Sequence, residues 1–154
     1  KEPQIIPRTG FGINGEMVDK MLIWLRDLQV TFDITGGVHG IALFSKDGEL
    51  VDLSEDVGRH NAMDKVIGRK LELIPLHHHG FLLSGRVSFE MVQKAVMAGT
   101  SVNVAIGAPT TLAVDLARQH GLTLIGFARE RRFNVYSGSW RLHWWESIRT
   151  ATTP

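Results

Sequence analysis

Apolar positions come first in helical spacing and then in short continuous runs. Met17, Met21, Leu22, Leu25 and Leu28 recur at intervals of three and four residues, behind Asn14, a good helix-capping side chain. They predict a helix from Asn14 to about Val30, after an irregular lead-in marked by Pro3, Pro7, Gly10 and Gly12. A strand is expected from His39 to Phe44, a turn at Lys46-Asp47-Gly48-Glu49, and a return strand from Leu50 to Leu53. The Asp-Gly pair gives that turn easy access to positive φ.

Beyond the hairpin the pattern alternates. Helices are predicted from about Asn61 to Leu71, with Ala62, Val66 and Ile67 on one face, from Ser88 to Met97 and from Thr111 to His120. Strands are predicted at Phe81–Leu83, Val102–Ile106 and Leu122–Phe127. Phe81 to Val102 and Val102 to Thr123 are each 21 residues apart, room for a strand–helix–strand crossover, so these strands should lie parallel as neighbours. Their uninterrupted apolar character fits strands covered by helices on both faces. The fold class is α/β: a three-layer α/β/α domain whose mixed sheet combines an antiparallel hairpin with three parallel strands. Phe133-Asn134-Val135-Tyr136 is read as a final edge strand. Residues 1–30 form a lead-in and first helix, 31–137 the α/β domain, and 138–154 a tail in which Trp140, Trp144 and Trp145 stand beside Arg141, His143 and Arg149. The tail reads as an aromatic packing segment, or a short helix docked on the domain or a partner.

Composition narrows the chemistry. The 154 residues are 44% hydrophobic and 21% charged, as in an ordinary globular domain, and the formal net charge of +1 gives no field for nucleic acid or an anionic membrane. No apolar run approaches the roughly 18 residues that span a bilayer. There is no cysteine, which excludes thiol nucleophiles, thiolate zinc sites and disulfides within these residues and fits a reducing cytosol. Lys1-Glu2-Pro3-Gln4 has neither an initiator Met nor a signal-peptide pattern and is read as the start of a fragment.

In open α/β sheets ligands bind beyond the carboxyl ends of the parallel strands. There the chain places Ser84-Gly85-Arg86-Val87-Ser88, Gly107-Ala108-Pro109-Thr110-Thr111 and Ala128-Arg129-Glu130-Arg131-Arg132, and after the hairpin Glu55-Asp56-Val57-Gly58-Arg59-His60-Asn61. Two of these junctions join small residues and hydroxyls to a helix start, where free N–H groups and the helix dipole favour anions. Arg59, Arg86, Arg129, Arg131 and Arg132 add forked donors suited to phosphate. Between residues 118 and 149 six arginines face only two acids. Each feature has a plainer reading: Ser-Gly and Pro-Thr-Thr also serve as simple caps, Arg131-Arg132 as a solvated loop, His39 and His60 as histidines satisfied by backbone, and Glu55-Asp56 as an N-cap pair in preference to a tether for Arg59 and Arg86. The convergence of several anion-friendly junctions on one rim favours a phosphate-bearing ligand. His77-His78-His79, bracketed by Pro75 and Gly80, is read as a loop, because three consecutive histidines on regular structure cannot face one ion. Ser84 and Ser88 lack a triad, so nucleophilic catalysis is not expected.

Thr35-Gly36-Gly37-Val38-His39, Asp56-Val57-Gly58-Arg59-His60-Asn61, Ser84-Gly85-Arg86-Val87-Ser88-Phe89-Glu90-Met91, Ala108-Pro109-Thr110-Thr111 and Gly126-Phe127-Ala128-Arg129 occur in the order seen in the FdhD/NarQ family, which the chain resembles from about residue 30 to 137. The resemblance implies a cytoplasmic sulfurtransferase accessory protein. Family members take persulfide sulfur from a cysteine desulfurase and pass it to a bis-guanine-dinucleotide molybdenum cofactor before its insertion into formate dehydrogenase. It also implies a cytidine-deaminase-like fold, a homodimer, and a cofactor-binding stretch at Phe127-Ala128-Arg129-Glu130-Arg131-Arg132. His39, Arg59, His60, Ser84, Gly85, Arg86, Pro109 and Thr110 complete the expected cofactor-binding set, and GDP-like nucleotides should substitute for the cofactor. Relatives can carry Lys-Pro-Gly-Arg where this chain has Arg129-Glu130-Arg131-Arg132. The family's sulfur-carrying Cys-x-x-Cys loop is absent, so no catalytic residue and no metal ligand is assigned here. Two other functions compete. A zinc hydrolase is disfavoured because His39-Gly40-Ile41 lacks the Glu and the cysteines are missing. A regulatory guanine-nucleotide-binding module without chemistry remains the alternative.

Overall fold

The computed structural model describes residues 5–8, 11–32, 39–143 and 150–152, with 28–32 and 150–152 described by backbone alone. Among these residues four α-helices, α1 (Gly15–Phe32), α2 (Arg59–Arg69), α3 (Phe89–Ala98) and α4 (Thr111–His120), pack on a sheet. Its strands are β1 (His39–Ser45), β2 (Leu50–Asp56), β3 (His79–Leu83), β4 (Val102–Ala105), β5 (Thr123–Arg129), β6 (Arg132–Ser137) and β7 (Thr150–Thr152). Leu28 by its side chain, and Thr35 to Val38, Trp144, Trp145 and Arg149 entirely, lie outside the described residues.

Local chemistry explains the elements. Asn14 Oδ1 accepts the Met17 N–H at 2.9 Å and starts α1; Ser88 and Thr110 cap α3 and α4 in the same way. Gly48, at φ +81, closes the β1–β2 hairpin. The sheet order is β2-β1-β3-β4-β5-β6-β7. β3, β4 and β5 run parallel, while β1 is antiparallel to both β2 and β3, and β6 to β5. The carboxyl ends of β2, β3, β4 and β5 and the amino ends of β1 and β6 therefore share one rim.

Alternate strand residues feed two cores. Ile41, Leu43, Phe81, Leu83 and Leu124 pack with Met63, Val66, Met91, Val92, Val114 and Ala117 under α2, α3 and α4. Ala42, Phe44, Leu82, Val104, Ile125 and Val135 pack with Val18, Met21, Leu22 and Leu25 of α1 on the opposite face, giving the three layers. Phe11, Ile13 and Leu142 join this second core.

Several expectations need correction. β2 extends to Asp56, so Glu55 and Asp56 end a strand and are not a cap pair; Gly58 precedes α2 without any side-chain cap. The reason is local: Asp56 Oδ1 accepts the Gly58 N–H at 2.9 Å in a turn, and α2 then begins two residues earlier than expected, at Arg59. His79 opens β3 and is not part of a loop, because its backbone pairs with Ser45. The segment around Phe133 is not the sheet edge, since β7 pairs parallel to β6 beyond it. Among the described residues no helix is long and apolar enough to cross a membrane.

Candidate functional site

The rim is one continuous surface. His39 pairs in register with Asp56. Ser84 Oγ accepts the Gly40 N–H at 2.9 Å, tying the β3 junction to β1 and leaving the hydroxyl proton available for donation. A Cβ on Gly85 would lie 3.6 Å from His39 Nδ1, so this imidazole stands beside the junction. The Gly107 N–H donates to the Gly85 carbonyl (3.1 Å), the Val87 N–H to Ala108 (3.1 Å) and the Phe127 N–H to the Gly107 carbonyl (3.1 Å). Gly107 is required by close approach: a Cβ there would lie 2.8 Å from the Gly85–Arg86 backbone. Hydrogen bonds and β-pairing thus link His39, Ser84, Gly85, Pro109 and Phe127, and Arg59 and His60 open α2 at the end of β2.

Three helix starts face this rim. Ser88 and Thr110 are engaged as caps by Met91 and Ala113, whereas the first turn of α2 has no side-chain cap. An anion gains only about 0.3–1 kcal/mol from one exposed helix end, against about 1.5–3 kcal/mol for a hydrogen bond to a charged group. The guanidinium groups therefore decide. Arg86, Arg129, Arg131 and Arg132 are exposed, and none forms a salt bridge among the described residues. Arg59 Nε is buried with no partner, an orphaned donor at the α2 start. These donors fit a polyphosphate.

Phe127 to Arg132 form the tip of the β5–β6 hairpin, where Arg129 pairs with Arg132 and the pairing is irregular between Gly126 and Arg129. Phe127 (φ 52) and Arg131 (φ 59) hold the left-handed conformation although neither is glycine. Ala128 turns its methyl into the α1-side core, so only its backbone reaches the rim. Asp56 is held below the usual carboxylate range by the Gly58 amide first and the Lys65 ammonium next, with Lys65 Nζ 2.8 Å away. Asp56 and Lys65 thereby pair with each other, and no bond from Asp56 or Glu55 reaches Arg59 or Arg86 among the described residues.

Sequence reasoning missed Asp19, whose carboxylate accepts the Arg131 N–H at 2.9 Å across 112 residues, a distance that leaves no local signal. It also missed Tyr136, whose ring lies against Gly126 and whose hydroxyl accepts from Asn134 Nδ2 at 3.3 Å; the strand alternation of β6 offered a weak clue.

The FdhD/NarQ family model matches residues 1–143. This chain belongs to the FdhD/NarQ family. It is 57% identical over 120 residues to a sulfur carrier protein FdhD from Streptomyces avermitilis, covering 77% of this chain and 43% of that protein. The protein of the same name from Nocardia farcinica is 48% identical over 139 residues (89% and 50% covered). That from Corynebacterium efficiens is 53% identical over 142 residues (88% and 51%). Among solved structures, a formate dehydrogenase accessory protein from Desulfotalea psychrophila is similar with a TM-score of 0.80 and 28% identity, over 91% of this chain and 59% of that one. The chain spans about half the length of the curated FdhD relatives it matches.

Proposed function

We propose that this chain is the cofactor-holding domain of a formate dehydrogenase accessory sulfur carrier, and that its rim binds a bis-guanine-dinucleotide molybdenum cofactor as cargo. One observation carries the reading: four arginines with no ion pair among the described residues, and an orphaned Arg59 Nε, stand along the carboxyl ends of parallel strands in an FdhD/NarQ chain. Two pyrophosphates need many forked donors, and a nearly neutral chain that sets Arg86, Arg129, Arg131 and Arg132 along one rim supplies them there. The N–H groups of the α2 first turn and the Ser84 hydroxyl add neutral donors.

The chain has no cysteine, so its own residues bind and orient the acceptor and carry no sulfur. In this reading the sulfur originates at a cysteine desulfurase, the loaded cofactor passes to formate dehydrogenase, and the protein works in the cytoplasm as a homodimer.

Calorimetry with GDP and with the complete cofactor tests the assignment. The cofactor should bind at least tenfold more tightly than GDP, because it presents a second dinucleotide to the same rim. Equal affinities would favour the regulatory nucleotide module, and failure of both to bind would overturn the rim as a polyphosphate site.

A further inference from the structure

We propose that Asp19 of α1 is the positioning residue of the arginine hairpin, setting where Arg129, Arg131 and Arg132 stand relative to the rim. The inference rests on the polyphosphate reading of that rim. The hairpin tip contains two non-glycine residues at positive φ, Phe127 and Arg131. Side chains with a Cβ rarely stay in that region unless the surroundings hold them. Both are held from outside the hairpin by their amides. The Phe127 N–H donates to the Gly107 carbonyl of the neighbouring junction at 3.1 Å. The Arg131 N–H donates to Asp19 Oδ1 at 2.9 Å.

The second anchor comes from the opposite layer. Asp19 follows Val18 and precedes Met21 and Leu22, all buried in the core between α1 and the sheet, so the backbone behind its carboxylate is fixed. A carboxylate accepting an amide N–H makes a charge-assisted bond, stronger than its neutral equivalent. Asp19 forms no salt bridge with any of the three arginines among the described residues. Its charge is directed at the backbone, and the guanidinium forks stay free for a ligand. The tip is thereby fixed by main chain, while the groups that would meet phosphate remain uncommitted.

Asp19→Ala and Asp19→Asn in the whole chain test this with two readouts: the rate of trypsin cleavage after Arg129, Arg131 and Arg132 without ligand, and GDP affinity by calorimetry, with thermal melts confirming folding. The Ala variant should be cleaved roughly tenfold faster and bind GDP roughly tenfold more weakly, the size of one lost charged hydrogen bond. The Asn variant keeps a carbonyl acceptor and should recover most of both, which a general packing role would not produce. Unchanged cleavage in folded Asp19→Ala, or tighter GDP binding in it, overturns the proposal. If the unmutated chain does not bind GDP, the polyphosphate reading fails by itself, and the cleavage rates still decide the role of Asp19.

Discussion

Arg69 and Asp52 close the free edge of the sheet: the guanidinium donates to Asp52 Oδ2 from Nε at 2.9 Å and to the Leu53 carbonyl from Nη2 at 3.0 Å, while Asp52 Oδ1 accepts the Leu53 N–H at 2.8 Å. Both backbone polar groups of Leu53, in an edge strand, are engaged by side chains and not offered to another chain.

Asp52→Ala should therefore promote self-association at high concentration, seen as a rise in sedimentation coefficient, with a stability loss of at most about 1 kcal/mol because the pair is partly exposed. Burial opposes ionisation of Asp52, but the hydrogen bonds from Arg69 and the Leu53 amide outweigh it and lower the pKa. With the folded pKa depressed, the contribution is present above the unfolded value of about 3.9 and is lost as pH falls through the folded one. Edge-to-edge association beyond the proposed homodimer should accordingly appear in the unmutated chain only in strong acid.

Arg141 is a buried cation, 2% exposed, with no acidic partner among the described residues. Its Nη1 donates to the carbonyls of Ser101 (3.1 Å) and Gly121 (2.7 Å) and to Thr123 Oγ1 (2.9 Å), and its Nη2 donates to the Pro7 carbonyl (2.6 Å). Burial, then the nearby Arg8 charge, push its pKa down to about 10. Arg141→Ala strands these acceptors and should cost about 3 kcal/mol in urea unfolding; Arg141→Lys should recover little, lacking the fork.

His77 and His79 lie near this staple. Burial first and the neighbouring His78 charge second lower both pKa values; Arg141 adds to the effect on His77 and Lys70 to that on His79. The unfolded chain then binds more protons than the folded one below about 6.5. Stability should be full above that pH and fall as pH drops below about 6.5 through the lowered folded values, and His79→Gln should flatten part of the fall in thermal midpoints measured on the acid side.

Replacing Arg129, Arg131 and Arg132 together with Ala should weaken GDP binding by more than tenfold while shifting the melting temperature little, since all three are exposed. Unchanged calorimetric affinity in the folded triple variant would remove the hairpin from the site.

Much of the candidate rim's arrangement was legible because strand direction gathers residues predictably. Once β3, β4 and β5 are parallel, Ser84, Gly107 and Phe127 must share a rim, and their hydrogen bonds bear this out. Helix α4 was legible to the residue, since Thr110 caps it and an apolar stripe runs to His120. The start of α2 was misjudged because a turn held by Asp56 replaced the expected cap. The edge was misplaced because β7 pairs with β6 through backbone groups, whose partners no side-chain pattern announces.

The sequence alone determined the kinds and order of the elements from α1 to β6 and the concentration of arginine at strand ends, because helical period, capping and turn chemistry act over a few residues. The tertiary structure decided the rest. The left-handed backbone at Arg131, its anchor on Asp19 and the burial of Arg141 arise between segments as much as 134 residues apart. Contacts at such separations depend on how the layers close, and that closure has no signature in any local stretch of chain.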